Sequence, residues 1–228
     1  MMIVFLSSQN DASRMSFLLK EASRLSSSVI WDCGRGNVSI INHNFINYTR
    51  QLKLIGPAYT VSTNGEILPI IQAINEISPG FLLVINDNTS KAALLGDIIM
   101  LAAKKKNISG ILCSGIVRDV ADANNLEMPL WALNSSPNSC KLGVASTTLK
   151  NKLEIAKQEI CFGDWLFGDR DGLVCLPAKY ARLVIKSACI KNKKENNYKS
   201  RIHNGESLFN MMNIGGHITR GEDIKVEF

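Results

Sequence analysis

Two unbroken apolar runs organise the middle of the chain. Residues 81–87, FLLVIND, and 108–117, ISGILCSGIV, show no polar alternation, the pattern of strands buried on both faces. Around them the period changes to that of helices. LPIIQAINEIS (68–78) predicts an amphipathic helix closed by Pro79-Gly80, and AALLGDIIMLAAKKK (92–106) predicts a second. Near the start, Met15, Leu18, Leu19, Ala22 and Leu25 recur at helical spacing behind a cap at Asn10 or Asp11. KLIGPAYTVST (53–63) predicts a strand interrupted at Gly56-Pro57, as suits a bend or an edge. SVIWDCG is a short apolar segment that ends at Asp32 and a turn, and 33–50 is polar and irregular. DVADANNLE predicts a short helix or loop, and MPLWALN (128–134) a strand. Residues 159–177 predict two strands around a Gly-Asp turn, and 178–213 are largely helical. Strand–helix–strand alternation implies an α/β domain, and the hairpin-rich part 128–177 implies a mixed sheet. With no Pro/Gly/Ser linker and no internal repeat, 1–228 is expected to be a single domain, with an N-terminal helix within 1–27 and a helical tail over 178–228.

Composition narrows the class without changing it. A chain of 228 residues buries roughly 70% of its unfolded surface and needs no staple to fold. The net charge is +6, but the only dense basic run is KNKKENNYKSR (191–201), without an aromatic-interleaved stripe. It reads as a solvated helix face rather than a nucleic-acid site. Six cysteines include no C-x-x-C pair, and Cys113 and Cys175 lie inside apolar strands, so reduced thiols and a cytoplasmic location are expected. His43, His203 and His217 have no ligand spacing, which argues against zinc. MMIVFLSSQND lacks a basic n-region, and no apolar run reaches about 18 residues, so neither a signal peptide nor a membrane span is expected.

Ligands of α/β sheets gather at the C-terminal ends of strands and the N-termini of the following helices. Two places qualify. If a helix begins at Gly96-Asp97, the backbone N–H groups of Asp97, Ile98 and Ile99 form an anion cradle that Gly96 lets a ligand approach. The strand 108–117 ends abruptly in Arg118-Asp119. Arg118 offers a planar fork for a carboxylate, and Asp119 with Asp97 offers hard oxygen ligands suited to Mg²⁺. Taken singly, each has a plainer reading: Gly96 relieves packing, Asp97 caps a helix, and Arg118-Asp119 is a surface ion pair worth under about 1 kcal/mol. Together they describe a site for a small oxo-acid held beside a divalent cation. Asp32 is read as structural, a helix cap, and Asp164, Asp169 and Asp171 as turn residues that bond their own backbone.

GPAYTV (56–61), the stretch ALLGDIIMLAAKKKNISGILCSGIVRDVADANNLEMPLWAL (93–133) and GDWLFGDRDGLVCLP (163–177) resemble, in order, the motifs of one family. It is the family of 4-hydroxy-4-methyl-2-oxoglutarate aldolases and the regulator of ribonuclease E activity A, and the likeness runs from about residue 28 to residue 208. The resemblance implies a layered α/β sandwich similar to the swivelling β/β/α domain, with a mixed central sheet. It implies that Asp119 binds a metal, that Arg118 binds substrate, and that Gly96, Asp97, Ile98 and Ile99 form the anion-binding loop, with Asp97 orienting metal-bound water. It implies a glutamate supplied by the C-terminal helix of a neighbouring subunit, for which Glu195 is the nearest candidate, and hence a homotrimer or a hexamer built from trimers. The implied activity is a class II, Mg²⁺- or Mn²⁺-dependent cleavage of 4-hydroxy-4-methyl-2-oxoglutarate or a related 2-oxo acid to pyruvate, with oxaloacetate decarboxylase activity. No Schiff-base lysine is required, and Lys104 to Lys106 read as surface. The alternative is a non-catalytic regulator that binds and inhibits a ribonuclease. The chain departs from the family at Ser114, where an aspartate is usual, at Ile98-Ile99-Met100, and at Ala132 to Asn134.

Overall fold

The computed structural model describes residues 9–41, 44–51, 53–89, 91–143 and 149–212. His43, His217 and the tail from 215 lie outside them. The elements are α1 (Gln9–Ala22), α2 (Ser27–Cys33), β1 (Ser39–Ile40), β2 (Ile46–Asn47), β3 (Leu54–Thr63), α3 (Leu68–Glu76), β4 (Leu82–Asp87), β5 (Ala93–Leu95), α4 (Asp97–Lys105), β6 (Gly110–Val117), α5 (Val120–Ala123), β7 (Leu130–Ser135), β8 (Leu153–Ile155), β9 (Gln158–Ile160), β10 (Trp165–Asp169), β11 (Gly172–Leu176), α6 (Ala178–His203) and α7 (Leu208–Met211).

The two apolar runs are β4 and β6, central and parallel in a mixed sheet of order β1-β11-β10-β3-β4-β6-β7-β2, with β5 added beside β6. The α/β class and the mixed sheet expected from the sequence are what the fold shows. β3 runs unbroken through Gly56-Pro57, against expectation, and is interior rather than an edge. Its residues 54–57 pair antiparallel with β10, and its residues 58–63 pair parallel with β4. Pro57, which has no N–H to give, closes the β10-paired segment just where the β4 ladder begins. Gly56 sits at φ 158°, where an added Cβ would lie 2.9 Å from the Gly80 carbonyl oxygen.

Three further expectations change. The run 92–106 is not one helix, because Ala93–Leu95 pairs with β6 and the helix starts at Asp97. SVIWDCG is helical: the Ser26 hydroxyl accepts the Val29 N–H at 3.3 Å, and Val29 and Ile30 are buried. Asn10 and Asp11 fall inside α1 rather than at its cap.

The core has three parts. α3 and α4 cover one sheet face through Ile70, Ala73, Met100 and Ala103, packed with Leu83, Ile85 and Ile111. α1, α2 and α6 cover the β10–β11 part around Trp165 and Phe167. The remaining face curls upon itself and is plugged by the β8–β9 hairpin through Leu153, Ile155 and Ile160. The curl is strong: a Cβ on Gly168 of β10 would lie 3.5 Å from the Trp131 ring of β7, although three strands stand between them in the order.

Turn aspartates tie these parts together. Asp164 accepts N–H bonds from Cys161 and Ala178, and burial raises its carboxyl above the usual range. Asp169 accepts the Asp171 N–H of its own turn, but also the Ser27 N–H at 2.8 Å and the Ser27 hydroxyl at 2.6 Å, which docks the N-terminus of α2. Asp32 does not cap a helix; it pairs with Lys191 of α6 at 2.9 Å and with Arg35 at 3.8 Å. All six cysteines are free, and burial pushes the Cys113 thiol up to about 12. Among the described residues no helix is long and apolar enough to cross a membrane.

Removing Asp169 strands the first-turn donors of α2 in a half-buried place. Asp169→Ala is expected to cost about 2 kcal/mol of unfolding free energy, measured by urea titration, while Asp171→Ala costs under about 0.5 kcal/mol.

Candidate functional site

The site forms where β5 and β6 end together. Leu95 pairs with Val117, and the Arg118 N–H donates to the Leu95 carbonyl at 2.8 Å. This ladder sets Gly96-Asp97 beside Arg118-Asp119, residues 22 apart in the chain. Gly96 is the N-cap of α4 with extended backbone (φ −124°, ψ −176°) that any residue adopts. Its lack of a side chain matters sterically: a Cβ there would lie 2.5 Å from the Asp119 Oδ2 and 3.1 Å from the Arg118 Nε. The space beside Gly96 is therefore filled by the two charged groups themselves.

Asp119 Oδ2 lies 3.3 Å from Arg118 Nε and 3.4 Å from the Asp97 backbone N, at the positive end of α4. Both side chains remain open to solvent, 41% for Arg118 and 36% for Asp119, so the pair itself adds little stability. Asp119 also adopts left-handed backbone (φ 56°, ψ 35°), unfavourable for a residue with a Cβ. Its carbonyl accepts the N–H groups of Asp122 and Ala123, which fixes that geometry. Left-handed backbone recurs at Asn107, Glu127 and Lys150, so it is the place of Asp119 beside the α4 N-terminus that sets this residue apart. The first-turn amides of Ile98 and Ile99 have no intrahelical acceptor. The Ile98 side chain is 75% exposed, while Ile99 packs against the core.

The structure thus brings together Gly96, Asp97, Ile98, Ile99, Arg118 and Asp119. It does not bring Glu195 to them within one chain. Glu195 lies on α6, 3.8 Å from Lys191 in the ion-pair group that includes Asp32. Lys104 and Lys106 sit in the last turn of α4 and at its C-cap, bonded to the carbonyls of Glu127 and Asn75, away from the cradle. His203 is exposed.

Two neighbours escaped the sequence reading. Asp87, buried at the end of β4, accepts the Gly65 N–H, the Thr89 N–H and the Thr89 hydroxyl at 3.0 to 3.1 Å. A Cβ on Gly115, in the β6 bulge, would meet its carboxylate at 3.3 Å. The signal was present, since β4 ends in a carboxylate just as β6 does. Cys140 is within electrostatic reach of both Arg118 and Asp87; burial raises its thiol, and Arg118 partly opposes the rise. Ser114 accepts the Asp87 N–H and donates to Asn86 Oδ1.

The donor set tells which group would fit. Asp119 would offer a hard carboxylate oxygen next to solvent, and the Asp97 backbone N, not its carboxylate, lies 3.4 Å from it; such a donor suits a divalent cation that keeps most of its waters. No group of three or more His, Cys, Asp or Glu poised for a metal occurs among the described residues. Water and ligand oxygens would complete the shell.

Residues 27–175 match the family model RraA-like, described as Aldolase/RraA. A protein of Alkalilimnicola ehrlichii that carries the provisional name 4-hydroxy-4-methyl-2-oxoglutarate aldolase is 30% identical over 137 residues, 59% of this chain and 84% of that protein. A protein of Arabidopsis thaliana with the same provisional name is 30% identical over 141 residues, 61% of this chain and 84% of that one. The solved RNA-processing inhibitor RraA from Thermus thermophilis superposes with a TM-score of 0.61 at 22% identity, covering 66% of this chain and 92% of the other.

The strain at position 119 is directly measurable. Asp119→Gly is expected to leave unfolding free energy unchanged or raise it by up to about 1 kcal/mol, whereas Asp119→Ala lowers it by about 1 kcal/mol. Equal losses in both variants, measured by chemical denaturation, would remove the argument from strain.

Proposed function

This chain belongs to the RraA-like (Aldolase/RraA) family, and we propose that it is a metal-dependent carbon–carbon lyase that releases pyruvate from a 2-oxo acid. 4-Hydroxy-4-methyl-2-oxoglutarate or a close analogue is the substrate class, with oxaloacetate decarboxylation as the companion activity. The observation that carries the proposal is the cradle: Gly96, the α4 N-terminus and Arg118-Asp119 converge on one solvent-open point.

Asp119 would hold Mg²⁺ or Mn²⁺, with Asp97 orienting its water. When bound, such a cation acts as a Lewis acid toward a chelating 2-oxo acid. The remaining work falls to the protein. Arg118 offers its guanidinium to the carboxylate and to negative charge that develops as the bond breaks. The amides of Ile98 and Ile99 orient the carboxylate without reorganisation. Asp97, open to solvent at the first turn, would take through water the proton that the substrate's 4-hydroxyl gives up as the carbon–carbon bond breaks, and return it to the carbon left as the enolate of pyruvate. Completion by an acid from a second copy, with Glu195 as the candidate, and assembly as a trimer or hexamer belong to the same proposal. A cytoplasmic setting suits six unpaired cysteines.

The second reading, a regulator that inhibits a ribonuclease, draws on the likeness to the Thermus inhibitor. Exposed carboxylates at the cradle favour the enzyme, because a contact inhibitor has no need of them.

The test is pyruvate release from oxaloacetate and from 4-hydroxy-4-methyl-2-oxoglutarate. Wild type should act with Mg²⁺ and stop with chelator. Asp119→Ala should lose at least about 100-fold in kcat/KM, and Arg118→Lys about 10- to 100-fold, because lysine cannot reproduce a bidentate fork. Release that survives both chelator and Asp119→Ala would overturn the mechanism. A folded wild type that acts on neither substrate would favour the regulator.

A further inference from the structure

The charge of the chain is not spread over its surface. Helix α6 holds eight Lys and Arg residues against one acid, Glu195, a net +7, so the remaining residues together carry −1 of the total +6. The dense run 191–201 is only part of this. Lys179, Arg182, Lys186 and Lys193 follow at intervals of three, four and seven residues, and Lys194 adjoins them, so they lie along one face of the helix. The opposite face carries the buried residues Ala181, Val184, Ile185 and Ala188. All five cations of the stripe are exposed, and among the described residues none of them takes part in an ion pair. Lys191 and Arg201, by contrast, are compensated by Asp32 and Glu206. The last fully buried residue of α6 is Ala188; Cys189 still packs on the core and Lys191 is tied to Asp32 of α2, and the helix then runs on to His203.

We propose that the outward face of α6 docks on the phosphate backbone of duplex DNA, without reading sequence. A row of unpaired cations on a rigid rod gains most from the densest linear polyanion, through release of its condensed counterions. The helix has no apolar face left for a lipid surface, because that face is buried in the core and only Leu183 and Ile190 interrupt the stripe. It has no stacking platform for single strands either: Tyr180 and Tyr198 are half-buried, with Lys179 Nζ 4.8 Å from the Tyr180 ring centre. A helix about 10–12 Å across enters the major groove of B-form DNA but not the deep, narrow groove of A-form RNA.

The experiment is fluorescence anisotropy with a labelled 30-base-pair DNA duplex, from 50 to 200 mM KCl. Wild type should bind with micromolar affinity at 50 mM salt. With about three to five phosphates neutralised, the affinity should fall roughly 40- to 500-fold across that range. The variant Lys179→Glu/Arg182→Glu/Lys186→Glu, all three exposed and remote in the helix from Glu195, should bind at least about 10-fold more weakly while keeping its circular dichroism and its pyruvate release. The proposal is overturned if duplex binding is absent below 100 µM protein, or unchanged in the variant. It is equally overturned if duplex RNA, single-stranded DNA or phosphatidylserine vesicles bind more tightly than duplex DNA.

Discussion

One backbone hydrogen bond, from Arg118 N–H to the Leu95 carbonyl, ties the end of β6 to the end of β5, where the candidate site lies. It closes the short β5–β6 ladder, which sets two distant segments side by side, and the Asp97 N–H joins them again at Asp119. One segment turns from strand to helix at Gly96; the other turns from strand to left-handed backbone at Asp119. Gly96 then matters for space rather than for flexibility, because a Cβ there would push the Asp119 and Arg118 side chains out of their present positions.

The rest of the fold serves to hold that ladder still. β4 and β6 are buried on both faces, with α3 and α4 on one side and the curled interior on the other. β3 exchanges an antiparallel partner for a parallel one beside Pro57, which lets a hairpin-built half and a parallel half share one sheet. α4 is pinned at its N-terminus by the site and along its length by Met100 and Ala103. Its dipole thus points at the cradle from a fixed direction. The basic helix α6 stands on another part of the sheet, packed with α1 and α2.

Much of this was legible in the chain. Continuous apolar runs gave β4 and β6 because strands buried on both faces tolerate no polar alternation. Arg118-Asp119 stood out because charge at the end of such a run is surplus to packing. Position 87 followed the same rule and was passed over, since one carboxylate draws less notice than an opposite-charge pair. β5 was hidden because Ala93-Leu94-Leu95 also fits a helix, and only the edge of β6 decides for the strand. The interruption expected at Gly56-Pro57 failed because a missing N–H is harmless where a strand changes partners. The left-handed backbone of Asp119 left no mark in the sequence, since glycine, asparagine and aspartate all serve there. Charge counting by window found only the run 191–201; the helical register carries the stripe on to Lys179.

The central claim is that Gly96 leaves room for a ligand-binding pair and does nothing else. Oxalate, a planar dianion that resembles the enolate of pyruvate, probes it without turnover. Calorimetric titration of oxalate in the presence of Mg²⁺ should show binding to wild type. It should show at least about a 100-fold loss in Gly96→Ala, whose thermal midpoint stays within a few degrees because its backbone is ordinary. Equal binding of oxalate to the two proteins would contradict the account.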